Sequence, residues 1–159
     1  MRPRKIDEQL IREYLLGHAS AEELDRALCL AREILSPSDT RVHVRDMSEG
    51  FRIDRAMALR ICEDAIAGRL QASSVEDLAF VIIASEALEW EEELVGEVLH
   101  DWAAPEINYP LTLANLQRFR LWLAGEEPYP EVRGANPAPA GRSPVGTIVS
   151  SKEKKRSRR

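Results

Sequence analysis

The segment Leu78–Ala84 constrains this chain most, because its residues are all apolar and no charge interrupts them. A helix built from such a run is apolar on every side, so other segments must cover it on every side. The run is too short to cross a bilayer, which takes about 20 apolar residues. We therefore expect a buried central helix within Val75–Leu99. Ser74 is expected to cap it, and a break or kink is expected near residues 86–90, where the pattern becomes amphipathic.

Apolar residues recur at helical spacing in five further segments, so about six helices are expected in all. Ser20 followed by Glu23 is a capping box at the start of one of them, and Thr112 is placed to cap the last. A glycine or proline follows several of these segments and marks their ends. The five segments are residues 5–16, 20–36, 53–67, 91–102 and 113–125.

Two connections do not have helical spacing. Arg41–Arg45 alternates polar and apolar residues as a strand does, but no second strand-like run is evident, so we expect an extended loop. Residues 103–112 contain two prolines and are expected to form an extended strap, with Ile107, Tyr109 and Leu111 packed across the helices. The predicted fold class is therefore all-α, a compact antiparallel helical bundle or array of about six helices.

Charge divides the chain into two parts. Residues 1–130 carry a formal charge of −11, whereas residues 131–159 carry +6. We expect an acidic helical domain over residues 1–125 and a disordered tail over residues 126–159, which is proline-rich and then basic from Lys152 onward. The acidic domain would repel nucleic-acid phosphates and attract a basic protein, so nucleic acid is expected to bind only through the tail.

The two cysteines, Cys29 and Cys62, lie within helical apolar patterns and are expected to be buried free thiols. Two cysteines alone do not form a disulfide framework. The opening residues are charged and lack the apolar core of a signal peptide, and no transmembrane segment follows. We therefore expect a cytoplasmic protein that does not bind membranes.

Carboxylates are concentrated after the apolar run, with no basic residue among them. They are Glu86, Glu89, Glu91, Glu92, Glu93, Glu97 and Asp101. If this stretch is helical, Glu89, Glu93 and Glu97 share one face and repel one another, which costs stability unless a basic partner or a cation relieves it. A solvated face that serves only solubility is the alternative. The predicted partner-binding set is Glu86, Glu89, Trp90, Glu92, Glu93, Glu97 and Asp101, with Trp90 as the aromatic residue most expected at the surface.

Metal binding and catalysis have little support in the sequence. Glu97, His100 and Asp101 have a spacing that would suit a metal ion, but no second histidine lies near them, so no metal and no cofactor are expected. A glycine-rich phosphate loop, a Gly-x-Ser-x-Gly elbow and a Cys-x-x-Cys motif are all missing from the sequence. The chain is therefore not expected to be an enzyme.

These features favour a small acidic protein-binding module. Immunity proteins against nuclease toxins neutralise basic partners through such charge complementarity, and the comparison concerns size and charge rather than any motif. Two alternatives remain open: a structural or regulatory homo-oligomer that uses Trp90 and the strap, and a nucleic-acid-associated protein acting through Lys152–Arg159. The sequence leaves the oligomeric state undetermined.

Overall fold

The computed structural model describes residues 4–130 of the chain. Helices take up 53% of these residues and strands 15%, so the molecule is mostly helical. Within this range the helices are α1 (Glu8–Leu15), α2 (Ala21–Ala31), α3 (Arg55–Ile66), α4 (Ala72–Ala84), α5 (Glu93–Ala103) and α6 (Leu113–Ala124). The strands are β1 (Ile6–Asp7), β2 (Arg32–Ser36), β3 (Asp39–Val42), β4 (Val44–Arg45), β5 (Phe51–Ile53) and β6 (Leu88–Trp90).

The central helix α4 is buried as the apolar run predicts, and both α2 and α5 pack against it. Its buried apolar side chains are Val75, Leu78, Ala79, Val81, Ile82 and Ile83. The predicted cap is wrong: the N-cap is Gln71, which makes no side-chain capping bond, and Ser74 lies inside the helix with its side chain buried. The helix therefore begins three residues earlier than its serine suggests.

Three other helix ends lie where the sequence predicts them. The hydroxyl of Ser20 accepts a hydrogen bond from the amide of Glu23 at 3.0 Å, and the hydroxyl of Thr112 accepts one from the amide of Asn115 at 3.2 Å. Gly125 ends α6 in the left-handed conformation, with φ at +78°, which favours glycine. These three ends confirm the predicted start of α2 and both predicted ends of α6.

The all-α fold class is wrong, because the strands pair into three two-stranded sheets within the described residues. β1 pairs with β4 and β5 with β6, both in parallel, while β2 and β3 form an antiparallel hairpin. Arg41–Arg45 therefore has partners, and the predicted lack of a second strand is wrong. Those partners are Arg32–Ser36 and Ile6–Asp7, which the sequence placed in helices.

The second helix ends at Ala31 because the backbone turns extended at Arg32, with φ −83° and ψ 130°. The amide of His43 donates to the carbonyl of Ala31 at 3.0 Å, so the hairpin takes over the hydrogen bonding where the helix stops. Ile34 and Leu35, expected on the buried stripe of that helix, are instead 72% and 43% exposed on the hairpin.

The predicted break near residues 86–90 is confirmed. α4 ends at Ala84, and the chain then forms the short strand β6 before α5 begins at Glu93. The cause is the parallel pairing of β6 with β5, which aligns Phe51 with Leu88 and Ile53 with Trp90. Glu89 therefore lies on a strand.

The connection between α5 and α6 is a turn at residues 104–107 followed by an extended piece. Tyr109 and Leu111 pack against the core as predicted, whereas Ile107 is 41% exposed. After α6, Tyr129 also packs against the core, so the described part of the predicted tail returns to the domain. The prediction of disorder for residues 131–159 lies outside the described residues. None of the helices in residues 4–130 is both long and apolar enough to cross a membrane.

Candidate functional site

The acidic stretch is built from a loop, a strand and a helix start. We call residues 86–93 the acidic segment. Its five exposed carboxylates are Glu86, Glu89, Glu91, Glu92 and Glu93. Since β6 interrupts the helical spacing, the expectation that Glu89, Glu93 and Glu97 share one helical face is wrong; only the last two lie on α5. The segment presents its charges along an extended surface.

Two of these carboxylates are paired with arginines, one on β5 and one at the start of α3. Arg52 Nη1 lies 3.2 Å from Glu91, and Arg55 Nη2 lies 2.7 Å from Glu92. Pairs this exposed contribute about 0–1 kcal/mol to stability. Glu89 and Glu93 make no salt bridge to any described residue. These two side chains therefore give the segment its uncompensated negative charge.

The carboxylates further along α5 are less accessible. Glu97 is half-buried, and Asp101 is 1% exposed. The hydroxyl of Tyr129 donates to Asp101 Oδ2 at 2.7 Å, so this carboxylate holds the chain that follows α6 against the domain. Asp101 is placed in the core and not with the exposed acidic segment.

Trp90 is half-buried and lies over the first turns of α5. A Cβ at position 96 would clash with the indole nitrogen of Trp90, so glycine is what lets the ring lie against the helix backbone. The ring of His100 meets Trp90 edge-on, with centroids 6.1 Å apart. A glycine inside an otherwise helical pattern was the sequence signal for this close approach. The indole of Trp90 therefore packs against α5, and only part of this side chain is exposed.

The spacing of Glu97, His100 and Asp101 does not produce a metal site in this fold. His100 Nδ1 lies 2.7 Å from the carbonyl of Gly96, and Asp101 accepts from Tyr129. Across residues 4–130, no group of three or more histidine, cysteine, aspartate or glutamate side chains is arranged to hold a metal ion.

A cavity of about 500 Å³ opens beside Glu86, and sequence reasoning did not find it. Its wall includes the carboxylates of Glu8 and Asp46, which come from α1 and from the loop between β4 and β5. Glu8 is fully buried and accepts a hydrogen bond from the amide of Met47 at 3.1 Å. Glu8 and Asp46 thus lie beside Glu86 in the wall of one cavity. They lie far apart in sequence, so no spacing pattern could indicate that they meet.

The two cysteines differ in how deeply they are buried. Cys62 is fully buried, as predicted, and donates to the carbonyl of Leu116 at 3.1 Å; burial raises its pKa to about 12. The Cys62 thiol is therefore protonated at neutral pH, whereas a nucleophilic cysteine acts as a thiolate. Cys29 is also a free thiol, but it is only half-buried.

Comparisons with protein-family models, with curated proteins and with solved structures find no match to this chain.

Proposed function

We propose that this chain is a small, non-catalytic protein-binding module that neutralises a basic partner, in the manner of an immunity protein. The acidic segment is the proposed binding surface. One observation carries the proposal: five exposed carboxylates follow one another over residues 86–93, and Glu89 and Glu93 among them lack a basic partner among the described residues. Uncompensated charge of one sign raises the rate at which an oppositely charged protein associates.

The surroundings of the segment support this function. Arg52 and Arg55 compensate the carboxylates nearest to them, which limits repulsion within the isolated protein. The two free cysteines fit a reducing compartment, so we propose a cytoplasmic location.

Affinity capture from a lysate of the source organism tests the proposal. The wild-type chain is compared with a Glu89→Lys/Glu93→Lys variant, which reverses the two uncompensated charges. A Glu22→Lys/Glu63→Lys variant is the matched control, because it makes the same change in net charge at two exposed positions outside the segment. Urea unfolding of all three proteins shows whether each variant keeps the wild-type stability.

We expect the wild type and the control to capture the same basic protein, and the Glu89→Lys/Glu93→Lys variant to lose it. The captured protein should elute as the salt concentration rises, because the exposed charges become screened. Equal capture by both variants would refute the acidic segment as the binding surface. If sedimentation instead shows only self-association through this surface, the homo-oligomer is the better account.

A further inference from the structure

A second cavity, of about 360 Å³, lies where the starts of α3 and α5 meet the end of α6 and the chain that follows it. Its volume is within the range of ligand pockets, about 300–1,000 Å³. Its lining includes two aromatic rings, Trp122 and Tyr129, and two carboxylates, Glu126 and Glu127. We call it the aromatic cavity. None of these four residues belongs to the acidic segment.

The two carboxylates of the aromatic cavity lie on a backbone that is held in place. Gly125 ends α6 in the left-handed conformation and turns the chain back over the helix. The amides of Glu126 and Glu127 then both donate to the carbonyl of Leu121, at 2.9 and 3.3 Å. The segment that carries these carboxylates is therefore positioned before any ligand binds.

The two aromatic rings of the cavity are also fixed by contacts. The ring centroids of Trp122 and Tyr129 are 5.1 Å apart with the rings edge-on, and the hydroxyl of Tyr129 donates to Asp101 Oδ2 at 2.7 Å. Aromatic rings attract a cation that lies within about 6 Å of the ring centroid, and in proteins that cation is most often arginine. The aromatic side of the cavity therefore favours a cationic ligand.

The charges at the cavity also favour a cation. Arg55 is the one basic residue among the described residues that line it, and its Nη2 lies 2.7 Å from Glu92. Glu126 and Glu127 are exposed and make no salt bridge to any described residue. The positive charge of the lining is thus already paired, whereas its two carboxylates are not.

The aromatic cavity is continuous with the acidic segment. Leu94, which lines the cavity, directly follows Glu93 on α5. Arg55, in the wall of the cavity, is the residue that binds Glu92 of the segment. A basic protein bound along the acidic segment therefore has the cavity at the edge of its footprint.

We propose that the aromatic cavity binds one arginine side chain of the basic partner. The guanidinium packs against the rings of Trp122 and Tyr129 and donates hydrogen bonds to the carboxylates of Glu126 and Glu127. Arginine fits both requirements, because its planar cation stacks on aromatic rings and carries five N–H donors. The inference rests on the proposed function, since it names an anchor for the same partner. Aromatic and arginine anchors of this kind carry much of the binding energy of an interface.

An arginine probe tests the cavity without the partner. Acetyl-glycyl-arginyl-glycine amide is titrated at low salt into the full chain while the NMR signal of the Trp122 indole N–H is followed. The same peptide with citrulline in place of arginine is the matched neutral probe. Glu126→Gln/Glu127→Gln removes the two carboxylates of the cavity, and Glu22→Gln/Glu63→Gln removes two exposed carboxylates elsewhere.

We expect the arginine probe to shift the Trp122 signal and to bind Glu126→Gln/Glu127→Gln about fivefold more weakly than the wild type, because two charge contacts are lost. The Glu22→Gln/Glu63→Gln control should bind as the wild type does, and the citrulline probe should bind more weakly to the wild type than the arginine probe does. An unshifted Trp122 signal, or equal affinity for the two double variants, would overturn the inference.

A further arm of the titration distinguishes the partner from the basic end of this chain. The six basic residues of 152–159 are changed to glutamine in the full chain. We expect the affinity for the arginine probe to stay as in the wild type. A probe that binds only after this change would show that the chain's own basic residues occupy the cavity, which also overturns the inference.

Affinity capture separates this inference from the proposed function. The basic protein should elute from Glu126→Gln/Glu127→Gln at a lower salt concentration than from the Glu22→Gln/Glu63→Gln control. Elution at the same salt concentration would refute the cavity as an anchor. The acidic segment is tested separately by Glu89→Lys/Glu93→Lys, which leaves the lining of the aromatic cavity unchanged.

Discussion

Asp64 is a nearly buried carboxylate that ties two helices together through its side-chain partners. The hydroxyl of Tyr14, on α1, donates to Asp64 Oδ2 at 2.5 Å, and Arg69 Nε donates to Oδ1 at 2.8 Å. Arg60 lies 3.7 Å from the same carboxylate and stacks over the ring of Tyr14 at 4.5 Å. Burial and the neighbouring carboxylate raise the pKa of Tyr14, so its hydroxyl stays a donor at all ordinary pH values.

Tyr14→Phe should lower the free energy of unfolding by about 1.5–3 kcal/mol, the usual value for a hydrogen bond to a charged group. The substitution keeps the ring and leaves a buried acceptor without its donor. Urea unfolding of Tyr14→Phe, Asp64→Asn and the double variant measures the coupling between the two side chains. If the losses in unfolding free energy of the two single variants add up to that of the double variant, the coupling energy between Tyr14 and Asp64 is zero. That result would contradict a stabilising hydrogen bond between them.

Gly96→Ala should also destabilise the protein, by about 1 kcal/mol or more, because the added methyl group displaces the Trp90 ring. The expected sign is the opposite of that in an open helix, where replacing glycine with alanine stabilises by about 1 kcal/mol. Chemical denaturation provides the measurement, with Gly50→Ala as control, since a Cβ there meets only an ordinary contact at 3.9 Å. A stabilised Gly96→Ala protein would contradict the packing described for Trp90.

At the scale of whole elements, helices were predictable and strands were not. Helix starts such as Ser20 and Thr112 depend on bonds to a residue three positions away, so the local sequence carries them. Strand pairing joins distant residues, as between Ile6 and Val44, and a strand of two residues has no periodicity of its own to detect. Arg32–Ser36 was misassigned because its spacing also suits the end of a helix.

In the acidic segment, too, local features were predictable from the sequence and contacts with distant residues were not. Its exposed carboxylates were predictable from the density of charge after the apolar run. Three other features were not predictable, because each joins segments distant in sequence. They are the ion pairs to Arg52 and Arg55, the hydrogen bond from Tyr129 to Asp101, and the cavity beside Glu86. Of the predicted partner-binding residues, Asp101 is buried, whereas the carboxylates of residues 86–93 are exposed.

Ile34→Ser should change the free energy of unfolding by less than about 0.5 kcal/mol, because this side chain is 72% exposed on β2. Leu28→Ala, on the buried face of α2, should cost about 2–5 kcal/mol. Urea unfolding of the two variants distinguishes the hairpin from a helix that continues past Ala31. A large loss in Ile34→Ser would mean that Ile34 is buried, as the helical pattern had suggested.

For the molecule as a whole, charge sets how stability depends on pH. The pKa of Glu76 is about 7 in the folded protein and 4.5 when unperturbed, so the folded state binds more protons than the unfolded state between these values. The contribution of Glu76 to stability is therefore greatest at low pH and is lost as the pH rises through this window.

Urea unfolding of the wild type and Glu76→Gln at about pH 5 and about pH 8 tests this loss of stability with rising pH. The quantity compared is the difference in unfolding free energy between the two proteins at each pH. We expect the wild type to lose stability relative to Glu76→Gln as the pH rises. Glu63→Gln, at an exposed position of α3, is the control for the loss of one carboxylate. A wild type that gains stability relative to Glu76→Gln over the same range would contradict the assignment.

The association rate constant of the captured basic partner tests the central claim most directly. It is measured for the wild type, Glu89→Lys/Glu93→Lys and the Glu22→Lys/Glu63→Lys control, at low and at high salt. If the acidic segment is the binding surface, reversal of its two uncompensated charges should slow association at least about tenfold at low salt, and high salt should reduce that difference. The control should stay close to the wild type. Equal association rates for the two variants at low salt would contradict the account.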